Sequence, residues 1–254
     1  MPLPKITLLS FLAASLLPAV AAEPGPLYRF DFADGSLANT GSVGGEAEEN
    51  PLPGGSVQVQ VTQADGKIWE ALLEPAPNGS SGPSFLLPDS AGRFGLGGPE
   101  DALSFSVWIK WNGPDQHPDS KQPIIWKPLD GSGPGWSLSV TESGILRFDW
   151  KKEAGGWSHR LSEETLPVGE WHQIGVIWKN DDTAGIEFYL DGSPVKPTVG
   201  FTGGGPLQAG EAPIVVGANP GGHMPLNGSL RGLRLYDRAL SPEEMAALAE
   251  DVPK

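Results

Sequence analysis

Along most of this chain apolar and polar residues alternate one by one, the mark of β-strands with one face in a core. The clearest run is Leu103–Trp111: Leu103, Phe105, Val107, Ile109 and Trp111 share one face, and Ser104, Ser106, Trp108 and Lys110 share the other. Trp171–Lys179 sets Ile174, Val176 and Trp178 against Gln173, Gly175 and Ile177. Gly185–Leu190 sets Ile186, Phe188 and Leu190 against Glu187 and Tyr189. A polar Asn180–Thr183 loop joins these two strands, and Asp191-Gly192 turns the chain after them, because glycine accepts positive φ without steric cost. Trp136–Val140 and Ile145–Trp150 flank the turn Glu142-Ser143-Gly144 and predict a hairpin, with Leu146, Phe148 and Trp150 inward and Arg147 and Asp149 outward. Ala154-Gly155-Gly156 then turns the chain into Trp157–Leu161.

Shorter strands are predicted over 27–32, 56–61, 84–87, 93–96, 123–127, 214–216 and 230–236. Asn39–Gly45 reads as a Gly-rich loop, 75–89 as mainly loop with a turn at Asn78-Gly79, and 112–122 as a polar loop. One helix is predicted, starting at Ser241: Ser241 suits the N-cap, Pro242 sits where its missing N–H costs nothing, and Glu244 completes a capping box. Met245 and Leu248 give that helix a thin apolar stripe. Many short strands, turn signals between them and one short C-terminal helix predict an all-β fold, a two-sheet antiparallel sandwich or barrel whose first and last strands pair.

The first 22 residues stand apart from this pattern. Lys5 precedes an apolar run from Ile6 to Leu17, and Ala19-Val20-Ala21-Ala22 supplies small residues for cleavage. Residues 1–22 therefore read as a secretory signal peptide, too short in its apolar run to span a bilayer, so membrane insertion is not expected. Residues 23–254 suit a single domain with enough length to bury a large core. The chain has no Cys, which fits a secreted, periplasmic or cell-envelope protein that needs no disulfides. The net charge is −14, and loss of Lys5 makes it more negative still, which argues against nucleic acid and anionic membranes as partners. The 35 Gly and 26 Pro punctuate the chain instead of clustering, as many short strands require.

Four stretches in order carry a family resemblance. Leu27-Tyr28-Arg29-Phe30-Asp31-Phe32 with the Asn39-Thr40-Gly41 loop resembles an opening strand and turn, and Phe105-Ser106-Val107-Trp108-Ile109-Lys110 resembles the pattern FSVSxWVK. Gly169-Glu170-Trp171-His172-Gln173 with Phe188-Tyr189-Leu190-Asp191-Gly192 resembles GxWHHVAV…LYxDG, and 227–241 resembles xNGxIDEVRIYxRALS. Together they resemble a bacterial LamG-like (laminin G-like) jelly-roll domain of the concanavalin A-like lectin/glucanase superfamily. The resemblance implies a two-sheet antiparallel jelly-roll β-sandwich and leaves activity open, because this fold hosts many functions. It also raises a structural calcium near the opening strand, with Asp31, Asp34 and Asn39 as oxygen ligands. The sequence departs from the family there: Arg231 and Gly232 stand where an acidic pair is usual, and an Arg opposes a cation.

Chemistry is sparse. Glycosidases of this fold use a Glu-x-Asp-x-x-Glu type run as nucleophile and acid; the nearest stretch, Glu187 to Asp191, has the wrong spacing. His117, His159, His172 and His223 lack metal-ligand spacing, with His172 reading as structural, and Gly203–Gly205 and Gly221-Gly222 lack the following helix of a phosphate cradle. What remains is binding. Trp108, Arg147, Asp149, Glu187 and Tyr189 occupy outward positions on their strands and are expected to form one sugar-binding face, with Trp157 as a rim aromatic. The chain is expected to be an exported, monomeric, non-catalytic module for carbohydrate or another cell-surface ligand. A protein-interaction or adhesion domain is the first alternative and a divergent glycoside hydrolase the second.

Overall fold

In the computed structural model the described residues are 24–50, 60–64, 68–75, 81–94, 101–114, 121–129, 133–152, 155–179, 185–198 and 210–251. The strands in chain order are β1 Tyr28–Phe30, β2 Glu48–Glu49, β3 Gln60–Ala64, β4 Ile68–Leu73, β5 Phe85–Leu86, β6 Ala102–Trp111, β7 Gln122–Leu129 and β8 Gly133–Val140. They continue with β9 Ile145–Lys151, β10 Trp157–Thr165, β11 Trp171–Lys179, β12 Gly185–Leu190, β13 Ser193–Val195, β14 Pro197–Thr198, β15 Val215–Val216 and β16 Gly228–Tyr236. Helix α1 spans Pro242–Glu250. The first sheet runs β13-β12-β11-β6-β16-β4-β3 with β1 added on β16, and the second runs β14-β10-β9-β8-β7-β15-β5-β2. All pairings are antiparallel, so the expected two-sheet antiparallel sandwich is the fold.

The alternating apolar positions of both sheets meet in one core. Phe105, Val107, Ile109, Ile174, Val176 and Leu230 enter it from the first sheet, and Trp136, Leu138, Leu146, Phe148 and Trp150 from the second. Trp136 stacks on Phe148 at 6.0 Å between ring centroids. The first and last strands pair as expected, Tyr28 opposite Leu235. Ser241 caps α1 with the full capping box: its side chain accepts from Glu244 N–H, and the Glu244 carboxylate accepts from Ser241 N–H. Asp191 and Gly192 both take positive φ, 50° and 75°, and form the tight turn between β12 and β13.

Several local expectations change. The opening strand ends at Phe30, because Phe32 takes φ 56° and leads into a 3₁₀ turn. Arg93 and Phe94 are not strand, and Phe94 has φ 55°. The predicted 56–61 strand lies largely outside the described residues and is seen as β3 from Gln60 to Ala64. Its partner β4 has the sequence IWEALL, without clean alternation, and the pattern did not predict it. The proposed signal segment 1–22, the Asn78-Gly79 turn, the Asn180–Thr183 loop, His117 and the Gly203–Gly205 loop lie outside the described residues.

Helix α1 lies against the outer face of the first sheet. Met245 is fully buried there among Ile177, Tyr189, Tyr236 and Leu240, a second small apolar cluster separate from the main core. The part of that sheet's outer surface beneath α1 is therefore interior.

Candidate functional site

Register places a polar row across the outer face of the second sheet. Residues directly opposite in antiparallel strands share a face. Trp126 of β7 is opposite Ser137 of β8, Ser137 opposite Asp149 of β9, and Asp149 opposite His159 of β10. Beside this row run Ser139 and Arg147, and beyond it Lys151 and Trp157.

Asp149 is the hub of the row. Its side chain is only 4% exposed and holds two cations: Lys121 Nζ donates to Oδ2 at 2.8 Å, and Arg147 grips both oxygens, the shortest contact being 2.7 Å from Nη2 to Oδ1. Lys121 Nζ also lies 5.8 Å from the Trp126 ring centroid, so one ammonium links carboxylate and indole. The pKa of His159 is held below its ordinary value, first by burial and then by the Arg147 charge, with Asp149 opposing. Trp157 is 41% exposed at the end of the sheet, with Lys151 Nζ 5.0 Å over its ring.

Trp126 also forms a wall of a cleft of about 520 Å³, lined by Leu86, Pro128, Pro213, Val215 and Met224, with Asn219 and His223 as polar members. The volume is of the order that small ligands occupy. The cleft's rim is anchored by a buried lysine. Lys127 Nζ donates to Ser90 O at 3.1 Å and to Ala212 O at 2.8 Å, while Ser90 Oγ donates to Leu87 O and accepts from Ile214 N–H. These bonds tie the 212–214 segment, which lines the cleft, to β7.

Three polar atoms on this face are buried without a hydrogen-bond partner: Trp126 Nε1, Ser137 Oγ and Ser139 Oγ. Leaving a buried donor unpaired costs about 1–3 kcal/mol, so three in one patch make it a candidate for polar contacts. The face holds donors, a hydroxyl pair and an indole beside an apolar cleft. Its central carboxylate, Asp149, is paired with Lys121 and Arg147.

The outward residues expected to share one face are divided between two. Arg147, Asp149 and Trp157 lie together on the second sheet, whereas Trp108, Glu187 and Tyr189 belong to the outer face of the first sheet, across the core. Tyr189 is not a surface residue: it is 1% exposed beneath α1, and its hydroxyl donates to Glu187 Oε2 at 2.8 Å. Burial and then the Glu187 hydrogen bond raise the Tyr189 pKa. Glu187 remains partly exposed and pairs with Lys179 at 3.3 Å. Trp126, Ser137, Ser139 and Lys121 were not singled out from the sequence, and His159 was considered there only as a metal ligand. The alternation of Ser137 and Ser139 with Trp136, Leu138 and Val140 signalled that they point outward; for Trp126 no signal existed, because a bulge between Pro123 and Ile125 resets the alternation.

Two of the three residues raised for calcium, Asn39 and Asp31, are engaged by other groups. Asn39 Oδ1 already accepts from Arg29 N–H at 2.8 Å and Gly41 N–H at 3.0 Å, and its Nδ2 donates to Gly44 O at 3.0 Å. Asp31 is paired with Arg29 at 2.7 Å and lies 3.7 Å from Arg234. Asp34 belongs to the 3₁₀ turn, and its side chain lies outside the described residues. Arg231 and Gly232 sit where β16 bulges: Gly232 takes φ 54°, Arg231 turns to the outer face, and Arg234 is the guanidinium brought to Asp31. Among the described residues no group of three or more His, Cys, Asp or Glu side chains could hold a metal, and no helix is long and apolar enough to cross a membrane.

Comparison with known proteins agrees with this architecture. The family profile described as the Concanavalin A-like lectin/glucanases superfamily, laminin G type, matches residues 80–246. The adhesion G-protein coupled receptor V1 of Danio rerio is 36% identical over 89 residues, which are 35% of this chain and 1% of that protein. Among solved structures, domain 4 of AbnA, a GH43 extracellular arabinanase from Geobacillus stearothermophilus in complex with arabinotriose, matches with TM-score 0.62 and 17% identity, covering 89% of this chain and 98% of that one. The binding domain of botulinum neurotoxin serotype G matches with TM-score 0.62 and 12% identity, covering 89% of this chain and 50% of that one. The ligand-binding domain of botulinum neurotoxin serotype D, in complex with N-acetylneuraminic acid, matches with TM-score 0.60, 14% identity and coverages of 89% and 50%.

Proposed function

We infer that this chain, which belongs to the concanavalin A-like lectin/glucanases superfamily, is an exported, non-catalytic module that binds carbohydrate on the outer face of its second sheet. The observation that carries this reading is the cluster of buried, unpartnered polar atoms, Trp126 Nε1, Ser137 Oγ and Ser139 Oγ, at the edge of the Trp126 cleft. A sugar hydroxyl both donates and accepts, so one ring suits an indole N–H together with two serine hydroxyls. The apolar C–H face of the same ring suits an aromatic wall, whose π face is electron-rich. Arg147 and Lys121, fixed by Asp149, add donors along the row. The complexes of the fold's neighbours with arabinotriose and with N-acetylneuraminic acid support a saccharide as the ligand class. The apolar N-terminal run after Lys5 supports export.

In this reading the face works by preorganisation. Asp149 holds two long cationic side chains in place before the ligand arrives, so less rotamer freedom is lost on binding. A glycan array probed with the purified chain, followed by calorimetry on the best hit and on arabinotriose, tests it. Trp126→Ala is expected to weaken the best hit at least about tenfold, a loss of about 1.4 kcal/mol, with unchanged circular dichroism. An array without retained glycans, or a folded Trp126→Ala variant that binds as tightly as the parent, removes the reading. One observation favours a protein ligand as the second reading: the cleft beside Trp126 is walled mainly by Leu86, Pro128, Pro213, Val215 and Met224, which would suit an apolar peptide side chain.

A further inference from the structure

A second cleft opens on the other side of the molecule, where the outer face of the first sheet meets α1. Its volume is about 430 Å³. Trp108 of β6, Trp171 and His172 of β11, the Asp191–Ser193 turn, and Ala246, Ala249 and Glu250 of α1 line it. The walls are set by packing: a Cβ on Gly192 would stand 3.0 Å from both Ala246 Cα and Ala249 Cβ, so turn and helix already touch. Trp171 is fixed by the guanidinium of Arg231, 3.8 Å from its ring centroid, and Arg231 is fixed in turn by Glu70 at 3.2 Å.

Two ring nitrogens in this lining, Trp108 Nε1 and His172 Nε2, are buried without a hydrogen-bond partner. The neighbours of Trp108 in its row cannot serve it. Gln173 Nε2 donates to Ser106 Oγ at 2.9 Å, its Oε1 accepts from Gly192 N–H at 3.1 Å, and Arg231 has no acceptor to offer. His172 Nδ1 lies 2.8 Å from Asp191 Oδ2, and Asp191 Oδ1 accepts from Gln173 N–H at 2.9 Å. A carboxylate cannot donate, so Nδ1 carries a proton, and Nε2 has Glu170 Oε2 3.9 Å away, beyond hydrogen-bond distance. The cleft thus offers an indole N–H and an imidazole nitrogen, both without a hydrogen-bond partner.

We propose that this cleft is a second ligand site, for a neutral saccharide. One hydroxyl accepts from Trp108 Nε1–H, another, able to donate or accept, pairs with His172 Nε2, and the C–H face of the ring rests on indole. Asp191 and Glu250 line the cleft and Glu170 lies 3.9 Å from His172 Nε2, against Arg231, itself paired with Glu70, and Lys110 at the Trp171 ring, so carboxylates outnumber cations and a uronic or sulfated sugar is disfavoured. This site stands independently of the Trp126 face. With sites on opposite sheets, one chain can hold two saccharide strands, or gain avidity on a polymer, without enlarging either contact.

The test follows the indole N–H signals of the full mature chain by ¹⁵N NMR, with the Trp108 signal identified by its loss in Trp108→Phe. Methyl glycosides of glucose, galactose, mannose, xylose and arabinose are titrated to about 50 mM, which reads affinities down to the millimolar range. At least one is expected to move the Trp108 signal saturably, and a methyl glucuronide is not. Ala249→Phe, which fills the cleft from the helix surface, is expected to abolish the shift while retaining the signal. Trp126→Ala is expected to leave the shift in place. If Trp108→Phe does not fold, the signal that tracks changes at Ala249 identifies Trp108 instead. The proposal is overturned if no glycoside moves the Trp108 signal, if the glucuronide alone does, or if the shift survives Ala249→Phe or vanishes with Trp126→Ala.

Discussion

Replacing Met245 by Ala tests whether α1 is an integral layer of the sandwich. Met245 is completely buried and sits over Gly175, where an added Cβ would collide with its sulfur. The substitution removes Cγ, Sδ and Cε from contact with Ile177, Tyr189, Tyr236 and Leu240. At about 0.8 kcal/mol per buried carbon-sized group the lost transfer energy is about 2 kcal/mol. A residual cavity of roughly 50 Å³, at about 24 cal/mol per Å³, adds about 1 kcal/mol. Urea unfolding followed by Trp fluorescence should therefore show a loss of about 3 kcal/mol, and Tm should fall by roughly 6–12 °C for a chain of this size. Met245→Leu, which conserves volume, should cost under about 1.5 kcal/mol. A second readout is the phenol of Tyr189, whose pKa is raised by burial under the helix and should move back toward 10 in Met245→Ala. A loss below about 1 kcal/mol, with Ala and Leu variants alike, would refute the reasoning and make α1 a loosely seated appendage.

Two further predictions concern the row on the second sheet. Asp149→Ala leaves Arg147 and Lys121 without their carboxylate; because both cations reach solvent in part, the expected cost is about 1–3 kcal/mol by urea unfolding, and Arg147→Met in the same chain should restore some of it. An Asp149→Ala variant as stable as the parent would show that the ion cluster does not support the sheet. For His159 the folded pKa lies below 6.5, so the folded chain gives up a proton that the unfolded chain keeps; this contribution to stability is full above 6.5 and is lost as the pH falls through 6.5 toward the folded pKa. His159→Gln should flatten the stability profile between about pH 7 and 5, and an unchanged slope would assign the acid sensitivity elsewhere.

Much of the architecture was legible from the sequence. Alternation alone decided which side of each long strand enters the core, as Phe105, Val107 and Ile109 or Leu146, Phe148 and Trp150 demonstrate, because side chains on a strand point to opposite faces in turn. Ser241-Pro242 and Glu244 announced the helix, and Asp191-Gly192 the turn, because capping and positive φ are local chemistry. Four short motifs were enough to indicate the family.

The candidate site was legible only in part, for a reason of the same kind. Outward parity is a property of one strand, and it does not say which sheet the strand joins. Trp108 and Asp149 are both outward, yet lie on opposite sides of the molecule, because β6 and β9 were assigned to different sheets by pairings between residues far apart in sequence. Nor does parity say what lies on top: Tyr189 alternates like a surface residue and is buried by a helix that begins some fifty positions later. At Trp126 parity itself fails, since a bulge shifts the register of β7 and turns the indole to the outer cleft. The sequence by itself determined the long alternating strands, their inward faces and the sandwich. Tertiary structure decided which outward residues meet, because that depends on sheet order, bulges and covering layers, all set by contacts that no local pattern encodes.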